Sequence, residues 1–121
     1  MGQKVAILGA STKPDRYAFK AFKMLQEHGH TPLPVTPKFG EIEGVKAVSN
    51  LKDLKEKVDT LTMYVGPETS SKLVDQILAL KPGRVIFNPG SENPELEHQL
   101  AEAGIAFEKA CTLVLLRTGQ F

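Results

Sequence analysis

Four apolar residues, Val5-Ala6-Ile7-Leu8, run without a break into Gly9-Ala10-Ser11-Thr12. No other stretch of the chain restricts the fold as tightly. Four residues are too few for a helix of their own, and unbroken apolar character suits a strand buried on both faces, the habit of parallel sheets. Glycine and small residues directly after such a strand mark a tight turn, and a helical pattern resumes within a few positions. Strand, turn and helix in that order put unpaired helix-start amides over the turn, a setting that favours an anion, commonly a phosphate.

The rest of the chain repeats the alternation. Ala18, Phe19, Phe22 and Leu25 recur at helical spacing with Lys20, Lys23, Gln26 and Glu27 between them, and His28-Gly29 forms the exit. His30 to Val35 reads as a second strand, short because Pro32 and Pro34 remove ladder donors. Phe39 to Gly44 is an irregular excursion, Lys46-Ala47-Val48 a short edge strand or extended loop, and Asn50 or Ser49 caps a short helix. Thr60 to Val65 is a strand broken at Gly66-Pro67, after which Thr69 or Ser70 caps a helix burying Leu73, Val74, Ile77 and Leu78. Arg84 to Asn88 is the next strand. Asn93 caps a helix with Pro94 at its first position, Gly104 ends it, and Ile105 to Glu108 is a last strand. Leu113 to Leu116 fits strand or helix equally. Such alternation implies an α/β fold, a Rossmann-like doubly wound parallel sheet of about five strands in the order 3-2-1-4-5 with helices on both faces. Residues 1–121 are expected to form one domain.

Fifteen basic against 14 acidic residues leave a net charge of +1, which argues against a general nucleic-acid binder. No segment approaches a membrane span, and Met1-Gly2-Gln3-Lys4 enters the first strand directly rather than through a signal peptide, so a cytoplasmic location is expected. A single cysteine, Cys111, excludes an intrachain disulfide and a cysteine-based zinc site. His28, His30 and His98 have no metal-like spacing, and Glu95, Glu97 and Glu102 share one solvated helix surface. No catalytic or metal-binding constellation emerges, so enzymatic activity is not expected.

In a doubly wound sheet the ligand lies beyond the carboxyl ends of the strands, where the strand order reverses. Four loops meet that description: Gly9-Ala10-Ser11-Thr12-Lys13, Thr36-Pro37-Lys38, Gly66-Pro67-Glu68 and Asn88-Pro89-Gly90. The first is not the dinucleotide fingerprint, because Ser11 and Pro14 stand where its second and third glycines belong. The second strand ends in Thr36 and Lys38 instead of the acidic residue that holds the ribose of NAD. A lysine there suits a phosphorylated ribose, as in coenzyme A or NADP. Lys13 and Arg16 flank the phosphate turn, and Tyr17 and Phe39 are placed to pack on an adenine or a pantetheine arm. Cys111, after the last strand, lies where a thiol-bearing arm might end.

With those residues in view, the chain resembles the small single-domain CoA-binding proteins of bacteria, the stand-alone form of the CoA-binding domain of succinyl-CoA synthetase alpha subunits. The resemblance is carried by Val5 to Ser11, by His28-Gly29-His30 with Pro34 to Lys38, by Glu43-Gly44, by Gly66-Pro67-Glu68, by Ala103-Gly104 and by the late Cys111. It implies coenzyme A or a short acyl-CoA as ligand. Gly9, Ala10, Ser11 and Lys13 would hold the pyrophosphate, with Thr12 and Arg16 beside them. Thr36, Pro37 and Lys38 would lie along the adenosine, Val65, Gly66 and Pro67 would line the channel, and Asn88 and Cys111 would complete the site. The chain departs from the family pattern at Thr36-Pro37, where Asn-Pro is usual, and at Phe87 to Ser91, where a Trp-Leu-Gln-x-Gly type loop is usual. The expected function is thus a holder of CoA without catalytic machinery, serving as carrier, sensor or partner subunit. An NADP-dependent reductase subunit and a redox-responsive protein forming a mixed disulfide with CoA at Cys111 are the alternatives. A homodimer or a partner protein stays open, with the apolar Leu113 to Leu116 segment as one contact surface.

Overall fold

The computed structural model describes residues 2–121. Five strands form one parallel sheet: β1 (Lys4–Leu8), β2 (Thr31–Val35), β5 (Thr60–Met63), β6 (Arg84–Phe87) and β7 (Ala106–Lys109), in the order β2-β1-β5-β6-β7. Along β1, alternate side chains enter opposite cores, as the two-residue period of a strand requires. Val5 and Ile7 pack with Ala18, Phe22, Leu25, Ile42 and Leu116, whereas Ala6 and Leu8 pack with Leu33, Leu61, Ile77, Leu96 and Leu100. The first core lies under α1 (Tyr17–Glu27) and α5 (Thr112–Arg117); the second lies under α3 (Val74–Leu80) and α4 (Pro94–Glu102). A sheet with both faces covered by helices is the expected α/β class. Each fully buried large side chain of these cores contributes about 1.5–3 kcal/mol through removal from water.

The strand order differs from 3-2-1-4-5 at its edges. The segment expected as an outer third strand contributes a single parallel bridge, Val35 to Val48, and the edge beyond β6 is occupied by β7. The preceding residues turn back on themselves instead, because β3 (Glu41–Ile42) and β4 (Val45–Lys46) pair as an antiparallel hairpin. Its two turn residues, Glu43 and Gly44, both take positive φ, the requirement of a hairpin turn that follows the strand twist. Fully buried Ile42 pins the hairpin to the α1 core. The prolines of β2 are accommodated by geometry. Pro34 O accepts from Val48 N and Thr36 N donates to Val48 O, so even-numbered positions face away from β1. Neither proline therefore owes β1 a hydrogen bond.

Leu113 to Leu116 belongs to α5, a helix. The helix expected from Thr69 or Ser70 is instead two pieces, α2 (Pro67–Ser70) with Gly66 at its N-cap and α3 starting after Leu73. Leu51–Asp53 is a single 3-10 turn, with Asn50 at the cap position but making no side-chain cap bond.

Candidate functional site

The site begins at Gly9. Its φ of +91° lies where side chains are strained, and a Cβ there would stand 2.9 Å from the Tyr64 carbonyl oxygen. Gly9 N and Ala10 N both donate to Val35 O, at 3.0 and 3.3 Å, so the turn is fastened to the end of β2. From there the chain takes eight residues to reach α1, with Ser11 Oγ accepting from Lys13 N at 3.1 Å and Lys13 O accepting from Arg16 N. Arg16 occupies the N-cap without a side-chain cap bond. Among the described residues, the amides of Ser11, Thr12, Tyr17 and Ala18 have no protein acceptor. The turn and helix start thus present free donors, as the sequence leads one to expect.

The other loops converge on this turn. β2 ends in buried Thr36, whose Oγ1 accepts from Lys38 N at 3.2 Å and orients the Pro37-Lys38 segment. β5 ends at Met63, so Tyr64 and Val65 enter the loop beside Gly9, which follows the register partner of Met63 on β1. After β6, Gly90 takes a φ of +93° and the Ser91 hydroxyl donates to Asn88 O at 2.8 Å. Together these loops enclose a cleft of about 510 Å³ at the carboxyl ends of β1, β2, β5 and β6. The chain leaves β1 for β2 on one side and returns for β5 on the other, so the cleft sits at the topological switch point.

Of the residues read as contacts, Gly9, Ala10, Ser11, Lys13 and Arg16 line the cleft from the first loop, Thr36, Pro37 and Lys38 from the second, and Val65 and Gly66 from the third. Tyr17 and Phe39 line it as well. Thr12, Pro67, Asn88 and Cys111 do not. Thr12 is exposed, and Pro67 is the first residue of α2, its carbonyl accepting from Ser71 N. Asn88 is 2% exposed and committed to the frame. Its Nδ2 donates to Thr62 Oγ1 and Met63 O at 2.7 and 2.8 Å, and its Oδ1 accepts from Thr112 N at 2.9 Å. Cys111 is half-buried at the N-cap of α5. Tyr64, Thr69 and Ser91 line the cleft without having been singled out. Tyr64 falls inside the strand expected over Thr60 to Val65, whereas β5 ends at Met63 and leaves Tyr64 just past it, the same place Gly9 holds after β1.

Lys13, Arg16 and Lys38 give the cleft its charge. No aspartate or glutamate lines it, and none of the three cations is in an ion pair among the described residues. The phenol of Tyr64 is pushed up to about 12, chiefly by burial. No group of three or more His, Cys, Asp or Glu is placed to hold a metal among the described residues, and no described helix is long and apolar enough to cross a membrane.

Three unopposed cations, free backbone donors and a switch-point position make this the candidate ligand cleft of a Rossmann-like α/β protein. Residues 3–117 match the family model of the CoA binding domain, and the chain belongs to that family. It is 45% identical to a solved structure of an uncharacterised protein, which superposes with a TM-score of 0.94 over 100% of this chain and 99% of that one. It is 29% identical over 102 residues to the uncharacterised protein YneT of Bacillus subtilis, covering 84% of this chain and 76% of that protein. It is also 30% identical over 105 residues to an ADP-forming acetate–CoA ligase of Methanocaldococcus jannaschii. That match covers 83% of this chain but only 15% of the ligase.

Proposed function

We propose that the cleft binds coenzyme A or a short acyl-CoA and that the protein acts as a holder of this ligand: a carrier, sensor or partner subunit. The observation that carries the reading is the cation set. Lys13, Arg16 and Lys38 face one cleft with no carboxylate to oppose them. A ligand with a diphosphate and a ribose phosphate neutralises such a set, and charge-assisted contacts of this kind are the stronger hydrogen bonds. In this reading the diphosphate lies on the Gly9-Ala10-Ser11 turn with Lys13 and Arg16 around it. Lys38, at the end of β2, meets the ribose phosphate. The volume is also that of a small-ligand site. Membership of the CoA-binding family supports the same ligand, and the ligase relative is named for chemistry on CoA.

Two measurements test this. A ligand that binds only the folded state raises the melting temperature in proportion to the logarithm of its concentration, so CoA is expected to do so and NAD to do nothing. A shift with NADP alone would replace the CoA reading by that of a reductase subunit. Lys38→Ala is expected to weaken CoA by about tenfold, or ~1.4 kcal/mol, and dephospho-CoA by much less. Equal losses for the two would remove Lys38 from the ribose phosphate.

A further inference from the structure

Tyr64 has two ends in different surroundings. Its ring lines the cleft, while its hydroxyl is buried without a protein hydrogen-bond partner. The hydroxyl stands beside Thr62 and Thr112, whose own oxygens are 2.8 Å apart, but completes no well-formed bond to either. The hydrogens can be counted. Thr62 Oγ1 accepts from Asn88 Nδ2, and the two threonines share one O–H···O bond whichever of them donates. One threonine hydrogen is left over, and as the cluster stands neither it nor the hydrogen of Tyr64 completes a bond, although the hydroxyl oxygens keep spare lone pairs. A phenol buried in this state is less favourable than a phenyl ring of the same shape. The backbone cannot relieve it. Tyr64 N donates to Leu8 O at 2.9 Å, and the Tyr64 carbonyl is pressed against Gly9. Only the side-chain torsions are free, and the open side of the ring is the cleft.

We propose that Tyr64 sets the specificity of the cleft for the uncharged arm of its ligand: on binding, the ring turns and the hydroxyl donates to a carbonyl of that arm. The inference rests on the CoA reading and goes further than it. All three cations come from the loops after β1 and β2, whereas Tyr64 stands with Val65, Gly66, Thr69 and Ser91, an uncharged half of the cleft. In coenzyme A the uncharged part is the pantetheine arm, whose amide carbonyls are acceptors. A phenol is protonated at neutral pH and hence a donor, and burial moves this one further in the same direction.

The test is Tyr64→Phe against wild type, by thermal unfolding and by calorimetric titration with CoA and with 3′-phospho-ADP, which lacks the arm. Without ligand the variant should melt higher, by about 2–5 °C. It should bind CoA about tenfold more weakly and 3′-phospho-ADP as wild type does. Equal CoA affinity overturns the role of Tyr64 while leaving the CoA site standing. So does a lower melting temperature without ligand, which would mean that the hydroxyl was already satisfied, or an equal loss for both ligands, which would place its effect on the nucleotide. A wild-type protein that binds neither compound overturns the CoA reading itself, and this inference with it.

Discussion

Gly9 answers to two constraints at once. The left-handed φ alone would admit an asparagine, but the Tyr64 carbonyl and the Val65 side chain leave no room for any Cβ. Gly9→Ala is therefore expected to cost about 2–4 kcal/mol, more than the backbone-entropy gain of alanine returns, measured as a lower urea midpoint at unchanged slope. A midpoint within error of wild type would mean the turn relaxes freely. The glycine was legible because an apolar run must end in a turn; what presses on it was not, since Tyr64 lies more than fifty residues away. Asn88 shows the same limit. It stands in a loop after a strand, where ligand contacts are common, yet its amide joins β5, β6 and α5 through Thr62, Met63 and Thr112. Local sequence marks the end of a strand, while the partners that absorb a polar side chain come from elsewhere in the chain.

Elements whose signals are local were legible, and α4 is the clearest. Asn93 Oδ1 accepts from Leu96 N at 3.2 Å, Glu97 Oε2 accepts from Asn93 N at 3.1 Å, and Pro94 fills the first helical position. All of this lies within five residues. The break between α2 and α3 was not legible, because Asn93 Nδ2 reaches back to donate to Ser70 Oγ and Ser71 Oγ at 2.8 and 3.1 Å, just where α2 ends. One amide thus caps α4 and ties down the segment that follows the cleft residue Thr69. Two variants separate the roles. Asn93→Asp keeps a good N-cap but loses the donor nitrogen, whereas Asn93→Ala loses both. Alanine is expected to destabilise by about 2–3 kcal/mol and aspartate by about 1 kcal/mol in chemical denaturation. Equal effects would show that the tie to α2 contributes nothing.

At the scale of the molecule, the sheet has a cleft end and a fastened end. The α/β class and the place of the cleft follow from the order of apolar runs and turns; the edges of the sheet do not, because β7 and the Val35–Val48 bridge depend on contacts between distant segments. At the amino ends of the strands, Arg84 Nε donates to Thr60 Oγ1 at 2.9 Å, Thr60 Oγ1 donates to Gln3 Oε1 at 2.6 Å, and Gln3 N donates to His30 Nδ1 at 3.0 Å. Phe121 closes the group, its ring 5.0 Å from that of His30 and under the Arg84 guanidinium, which also donates to its carbonyl. The bond from Gln3 needs an unprotonated Nδ1. Burial, with the neighbouring charges of His28 and Arg84, holds the His30 pKa below its ordinary 6.5. The unfolded chain therefore takes up this proton at a higher pH than the folded protein. The stability it represents is complete above about pH 6.5 and is lost as the pH falls from there toward the folded value. His30→Asn supplies an acceptor to Gln3 but no titration. Between about pH 7.5 and 5.5 the melting temperature of wild type is expected to fall more steeply than that of the variant, the carboxylates being common to both. Parallel curves would mean that His30 titrates alike in the folded and unfolded chain, and that the fastened end of the sheet is indifferent to acid.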